Sequence, residues 1–368
     1  MKKKIAMVFP YAPSYREPIY KLMDEEFDCT FYFCSNADYG LKYMNYSHLK
    51  NVNTEMTETR KGPFMFYSGI SKIDFSGYDV VMHPGTIRNL SSWYLNWKML
   101  RLKNRPKLAI WTHGWYGKES KLERIIKCYY YSLIDKIYLY GDYAKKGLIK
   151  AGVDPNHLIT IYNSLDYDSQ VVMRTKLSEQ PIYKDHFGND NPNLFFVGRL
   201  TEVKKLDLIL RAMALLRERG LYVNMTFIGD GTEKETLESL AIELGLEQNV
   251  WFYGACYDEE VLGNMIYNAD LCVAPGNIGL TAMHTLAYGT PALTHDDFPF
   301  QMPEFEAIRE GETGAFFRRG SVESLSEKIS QWFIEKDGKR NEVRKACMSE
   351  IDKRWTPHVQ LEILKKTL

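Results

Sequence analysis

The feature that most constrains this chain is a regular alternation over residues 193–295. NLFFVG (193–198), VNMTFIG (223–229), NVWFYG (249–254), DLCVAP (270–275) and TPALTH (290–295) are apolar runs of strand length. Runs this short and this apolar suit strands buried on both faces of a parallel sheet. The stretches between them, 205–220, 233–245, 258–269 and 279–289, carry helical periodicity, and the first two close on Gly220 and Gly245. A further helix is expected over 321–336, with Ser321 as N-cap and Glu323 in the first turn. Strand and helix alternating at this spacing predict a doubly wound α/β domain.

A looser version of the pattern precedes it. Strands are expected at 3–9, 27–34, 78–83, 107–113, 136–141 and 158–163, and helices at 17–25, 92–103, 119–134 and 142–151. Residues 166–192 are polar and rich in turn-formers, which reads as a linker. The expected organisation is an N-terminal Rossmann-like domain over 1–165, the linker, a second Rossmann-like domain over 193–350, and a C-terminal helix over 351–368 packing back on the first domain. The length of 368 residues fits two domains at roughly 100–200 residues each. Two such domains in tandem lead us to expect ligand binding in a cleft, at the carboxyl ends of the strands.

Composition excludes several classes. Apolar residues at 45% and charged residues at 26% describe a folded globular chain. No stretch of 18 apolar residues occurs, and the basic N-terminus leads into an apolar run too short for a signal peptide, so a cytoplasmic protein is expected. The six cysteines form no CxxC pair, which removes zinc and redox motifs. Lys+Arg and Asp+Glu balance at 47 each, and no nucleic-acid motif is present. Charge is uneven, however. Segment 94–150 holds 13 Lys/Arg against four acids, with Lys118, Lys121, Arg124 and Lys127 at intervals of three and many large aromatics beside them. Two readings stand: a face that rests on an anionic membrane surface, or a solvated helix whose aromatics point into the core.

Two constellations carry chemistry. In VGRLTEVKKLDLILRA (197–212) a strand ends at Gly198, and Arg199 and Lys204 stand on the turn into a helix, where cations and free N–H groups converge on an anion such as a diphosphate. In GNIGLTAMHTLAYGTPALTH (276–295), Gly276 and Gly279 allow a tight turn at a helix start, again exposing N–H groups to phosphate.

These motifs give a resemblance. FVGRLTEVKK (196–205), FIGDG (227–231), VWFYG (250–254), NAD (268–270), GL (279–280), LAYGTP (286–291) and EAIREGETG (306–314) resemble, in order and spacing, the nucleotide-sugar domain of the retaining glycosyltransferases of family 4, of GT-B fold, within glycosyl transferases group 1. The first half matches through HPG (83–85), THG (112–114) and IYNSLD (161–166). The resemblance implies two Rossmann-like domains facing a central cleft and transfer of a sugar from a nucleotide-sugar to a glycan or lipid-linked acceptor, with no metal and no cofactor. It implies that Arg199 and Lys204 hold the donor diphosphate, and that Gly279, Leu280 and Thr281 present N–H groups to it. Gly198 lies on the same turn, Gly229 and Gly231 lie near the base, and His113 touches the transferred sugar. Asp166-Tyr167-Asp168 is a literal DxD, but it falls outside these loops and reads as chance.

The sequence departs from the family at two places. Two glutamates eight apart, one near the sugar and one on the ribose, are replaced by Gly276 and His284. A neutral histidine accepts one hydrogen bond where a carboxylate accepts two from a diol. Asn277, Thr281, His295, Asp296, Asp297 and Glu304 are the nearby candidates to stand in. The loop PYAPSYREP (10–18) also lacks the family's glycine-rich form, leaving Tyr11, Tyr15 and Arg16 as candidate acceptor residues. Three other readings stay open: altered donor choice, such as a nucleotide other than UDP; a non-catalytic nucleotide- or glycan-binding partner of the same fold; and an epimerase.

Overall fold

The computed structural model describes residues 1–40 and 42–368. The chain forms two compact units, Met1–Asp166 with Thr356–Leu368, and Tyr167–Trp355.

The first unit runs β1 (Lys4–Val8), α1 (Glu17–Glu26), β2 (Asp28–Cys34), β3 (Val52–Lys61), β4 (Phe64–Ser68), β5 (Val80–His83), α2 (Leu90–Leu100), β6 (Lys107–Thr112), α3 (Lys121–Ser132), β7 (Lys136–Leu139), α4 (Asp142–Lys150) and β8 (Leu158–Thr160). The sheet order is β4-β3-β2-β1-β5-β6-β7-β8, parallel except for the β3–β4 hairpin. That hairpin was not expected: β3, VNTEMTETRK, is polar at nearly every position because it lies near the sheet edge, and only Met56 is buried. The central strands bury both faces. Ala6, Val81 and Ile110 belong to one apolar cluster, and Ile5, Met7, Val80 and Trp111 to the other.

The second unit runs α5 (Tyr167–Arg174), α6 (Ile182–Phe187), β9 (Asn193–Val197), α7 (Asp207–Glu218), β10 (Asn224–Ile228), α8 (Lys234–Glu243), β11 (Val250–Gly254), α9 (Glu259–Asn268), β12 (Leu271–Ala274), α10 (Leu280–Ala287), β13 (Ala292–His295), β14 (Gly314–Phe317), α11 (Val322–Glu335) and α12 (Arg340–Arg354). Its strands are all parallel, in the order β11-β10-β9-β12-β13-β14. The chain moves outward from β9 on one side and then restarts on the other, so the order reverses between β9 and β12. Crevices at such points are where open α/β sheets take ligands.

Two expected boundaries need correction. The stretch 166–192 is not a linker: from Tyr167 onward it carries α5 and α6 and belongs to the second unit. Several of its groups bond to the rest of that unit. Arg174 Nε donates to the Ala287 carbonyl (2.6 Å), the Tyr183 hydroxyl to the Met265 carbonyl (2.7 Å), and Asn268 Oδ1 accepts from Gln180 N (2.9 Å). The C-terminal helix does not start at 351, because α12 belongs to the second unit as far as Arg354. The last helix, α13 (Pro357–Thr367), is capped by Thr356, whose Oγ1 accepts from Val359 N. It is tied to the first unit by Gln360 Nε2 to the Tyr162 carbonyl (2.9 Å) and by the Tyr138–Thr367 hydroxyl pair (2.8 Å).

His83, at the end of β5, is buried with its Nε2 2.9 Å from Asn96 Oδ1, and burial pushes its pKa down to about 4. The unfolded chain takes up a proton near pH 6.5 that the folded chain refuses until about pH 4. Stability should therefore fall as pH drops through this window, by up to about 3 kcal/mol from this residue. Urea midpoints at pH 7 and pH 4.5 test it: His83→Gln should lose less stability on acidification than the wild type, and equal losses would contradict the assignment.

Candidate functional site

The loops that follow β9, β10 and β12 meet at the switch point of the second sheet. They meet closely enough to dictate glycine. A Cβ on Gly229 would lie 1.9 Å from the Gly198 carbonyl oxygen, and one on Gly231 would lie 2.2 Å from that of Leu200. Gly198 N donates to the Ile228 carbonyl (3.0 Å) and Leu200 N to that of Asp230 (2.9 Å). Gly198, Gly229 and Gly231 thus hold two turns backbone to backbone.

Arg199 and Lys204 stand on the first of these turns. Arg199 is exposed, and Lys204 is half-buried at the end of a short 3-10 turn, Glu202–Lys204. The next residue, Lys205, has φ 51°, a left-handed conformation that costs a side-chain-bearing residue about 1 kcal/mol or more. That turn aims Lys204 across to the β12 loop, where its ammonium donates to the Asn277 carbonyl (2.7 Å) and to Asn277 Oδ1 (2.9 Å). Burial, and then the neighbouring charge of Arg199, hold Lys204 below the ordinary lysine value. Two cations are thus kept close in a partly desolvated place, an arrangement that favours a polyanion.

The β12 loop completes the cradle. Gly279, with φ 54°, precedes α10, and no side chain caps this helix, so the helix start at Leu280 and Thr281 is one that can take an anion. Thr281 turns its hydroxyl inward, to the Val197 carbonyl at 3.1 Å. The buried Gln301 fixes the loop by accepting from Ile278 N (3.0 Å) and donating to Thr294 Oγ1 (2.8 Å). Nothing in the spacing of the sequence marked Gln301 as part of this loop.

Gly276 has its own cause. Its N–H donates to the Lys204 carbonyl (2.9 Å), and a Cβ there would lie 2.2 Å from the Val203 carbonyl oxygen. The Lys204 turn occupies the space that a longer residue at 276 would need. His284, at the other changed position, is not alone. Its Nε2 lies 2.9 Å from Glu259 Oε1, and the Tyr288 hydroxyl donates to the same oxygen. Burial raises the Glu259 carboxyl, but His284 and Tyr288 outweigh it and hold Glu259 below the ordinary value. A carboxylate is therefore present beside position 284, supplied by the first turn of α9.

The six expected stand-ins have other partners or places. Asn277 holds Lys204, and Asp296 and Asp297 bond to Arg319. His295 and Glu304 are buried. Glu259 lies 25 residues before His284 and shares no motif with it, so only tertiary packing reveals the pair.

In the first unit, His113 follows β6 and packs beside Tyr140, with ring centroids 4.8 Å apart. Burial and the charge of Arg16 push it down to about 4, so it is neutral at pH 7. Arg16 lies over the rings of Trp111 (5.1 Å) and Tyr140 (5.3 Å), and its electrostatic neighbours include Tyr15. The structure thus gathers Arg16, Tyr15 and His113 around one aromatic floor. Tyr11 stacks instead on Tyr39 at 4.5 Å, and burial raises its pKa to about 12. The loop after His113 is clamped: Glu119 accepts from Tyr116 N and Gly117 N (2.8 Å each) and pairs with Lys127 at 2.7 Å. Lys127 is consequently buried, and it does not extend an exposed basic stripe on α3.

Two parallel-sheet α/β units of this topology, the second carrying a cationic, glycine-built turn at its switch point, define the GT-B class. The chain is similar in fold to Anabaena Alr3699/HepE, solved in complex with UDP, with a TM-score of 0.73 at 16% identity, covering 100% of this chain and 99% of that one. It is likewise similar in fold to the lipopolysaccharide outer core galactosyltransferase WaaB, at TM-score 0.70 and 16% identity over 99% and 100% of the two chains. Residues 180–349 match the family model for glycosyl transferases group 1. Among sequence relatives, the putative glycosyltransferase EpsD of Bacillus subtilis is 28% identical over 161 residues, 43% of this chain and 40% of EpsD. The sulfoquinovosyl transferase SQD2 of Arabidopsis thaliana is 27% identical over 213 residues, 56% of this chain and 39% of SQD2. The match thus spans about two fifths of each relative's length.

Proposed function

We propose that this protein is a retaining, metal-independent glycosyltransferase that moves a sugar from a nucleotide-sugar to a glycan or lipid-linked acceptor in bacterial surface polysaccharide or glycoconjugate synthesis, working at the cytoplasmic face of the membrane. The observation that carries the reading is the pairing of Arg199 with a partly desolvated Lys204 over an uncapped helix start. In the proposed reaction the bond from the sugar's anomeric carbon to the diphosphate breaks, and the acceptor oxygen bonds to that carbon from the same face. The departing diphosphate takes the acceptor's proton. Arg199, Lys204 and the N–H groups of Leu280 and Thr281 stabilise the charge that grows on it, so neither a metal nor a protein base is required. His113, neutral at pH 7, is assigned to the transferred sugar, and Tyr11, Tyr15 and Arg16 to the acceptor. The binding of UDP and UDP-glucose by HepE supports the donor class, and the lipopolysaccharide outer core galactosyltransferase WaaB supports a lipid-linked acceptor.

We further assign the donor's ribose to the Glu259–His284 pair. Glu259 retains an acceptor oxygen beyond the one that meets His284 and Tyr288, and a carboxylate can accept from both hydroxyls of a diol. Calorimetry with a panel of nucleoside diphosphates and nucleotide-sugars, without metal, tests both assignments. One nucleotide series should bind, and Glu259→Gln should weaken it by about tenfold, as loss of a charge-assisted hydrogen bond does, while a 2′-deoxy nucleotide should lose little further in the variant. Binding of no member of the panel would overturn the transferase reading. Unchanged affinity in Glu259→Gln would overturn the ribose assignment alone.

A further inference from the structure

The first unit exposes an apolar surface that its own core does not use. Leu90, Trp93 and Trp97 of α2 and Ile125, Ile126 and Tyr129 of α3 line a groove of about 690 Å³ whose walls are almost wholly apolar. Trp97 is 46% exposed, Tyr129 54% and Ile125 68%, and Leu122, one turn earlier on α3, is 68% exposed. Their aromatic neighbours behave differently: Trp111, Trp115, Tyr130 and Tyr131 are buried. The aromatic-rich segment therefore divides into a core set and a surface set, which the sequence did not separate. Contiguous apolar surface of this kind marks an interaction site.

The charge around it selects the partner. Residues 88–132 contain ten Lys/Arg and two acids, Glu119 and Glu123, and Glu119 is already taken by Lys127. Arg88, Arg101 and Lys103 lie exposed at the two ends of α2, and Lys121 and Arg124 lie exposed on α3. Two copies meeting symmetrically through this patch would set these cations against themselves. An apolar groove edged by tryptophan and tyrosine, on two helices that also carry exposed cations, matches an anionic lipid surface, with side chains entering the acyl region and cations meeting headgroups. No helix among the described residues is long and apolar enough to cross a membrane, so the contact would be made from one side.

We propose that the α2–α3 groove docks the protein on an anionic bilayer, with Trp97, Ile125 and Leu122 inserted and Lys121 and Arg124 on headgroups. This deepens the lipid-linked acceptor reading and rests on it only for its purpose, since binding to lipid is measured without turnover.

The test is flotation of the full chain with vesicles of phosphatidylcholine alone and of phosphatidylcholine mixed with phosphatidylglycerol. The mixed vesicles should bind at least about tenfold more tightly, and added salt should weaken them. Trp97→Ser combined with Ile125→Ser should weaken that binding about tenfold or more, whereas Lys121→Glu combined with Arg124→Glu should abolish the preference for anionic lipid. All four side chains are exposed, but the Arg124 guanidinium also lies 5.6 Å from the Trp115 ring, so the melting temperature and nucleotide affinity of each variant are measured beside its vesicle binding and Lys121→Glu alone is included, which separates loss of docking from loss of fold or of the donor site. Absence of vesicle binding, or wild-type binding by the Trp97/Ile125 variant, overturns the proposal. So does a concentration-dependent dimer that this variant dissolves while vesicles stay unbound, which would make the groove a contact between copies.

Discussion

Arg199→Ala is expected to lower the transfer rate by about 10²-fold or more while leaving the fold intact. The size follows from removing one preorganised group that faces developing charge. Arg199 is exposed, so thermal stability should change little. Its loss also removes the charge that helps hold Lys204 below the ordinary lysine value. Lys204 should therefore keep its proton to higher pH in the variant, and any alkaline decline in rate should move upward. The effect should fall mainly on kcat, because charge on the leaving diphosphate is greatest in the transition state. Steady-state kinetics over a pH series would read both consequences. A near-normal rate would remove Arg199 from the site.

The second large effect runs against what a comparison of sequences would suggest. Gly276→Glu, which restores the carboxylate of the family pattern, is expected to abolish nucleotide binding rather than improve it. The Cβ would lie 2.2 Å from the Val203 carbonyl oxygen and 2.7 Å from Lys204 Cα, and both are backbone atoms that cannot turn aside. Either the β12 loop or the Lys204 turn must move, and each carries part of the anion cradle. Overpacking of this kind also costs on the order of 1–3 kcal/mol. Gly77→Ala is the control, since a Cβ there meets nothing within 4 Å. A Gly276→Glu protein that binds nucleotide as well as the wild type would show that the loops are not held as described.

Much of the second unit was legible before any coordinates. Its five early strands and their helices appear as runs such as NLFFVG and VNMTFIG, because a strand buried on both faces has no polar position to disguise it. The first unit was less legible where that condition failed, as at the polar strand β3. The stretch 166–192 misled because α5 and α6 are short and bury only Gln170, Met173 and Tyr183, so that its polar, exposed composition reads as that of a loop. At the candidate site, the cationic turn and the glycine-led helix start were legible because the residues of the proposed phosphate cradle stand close together along the chain. Its completion by Glu259 and Gln301 was not, because each reaches the site from a separate segment.

By itself, then, the sequence determined the α/β class, the strand–helix rhythm of residues 193–295 and the cationic turn at Arg199 and Lys204, all of which are written in short-range order. The tertiary structure alone decided why position 276 must be glycine, where the carboxylate beside His284 comes from, and which aromatics of α2 and α3 face outward. Each of those depends on what a neighbouring segment places within a few ångströms, and hydrophobic periodicity within one segment carries no record of its neighbours.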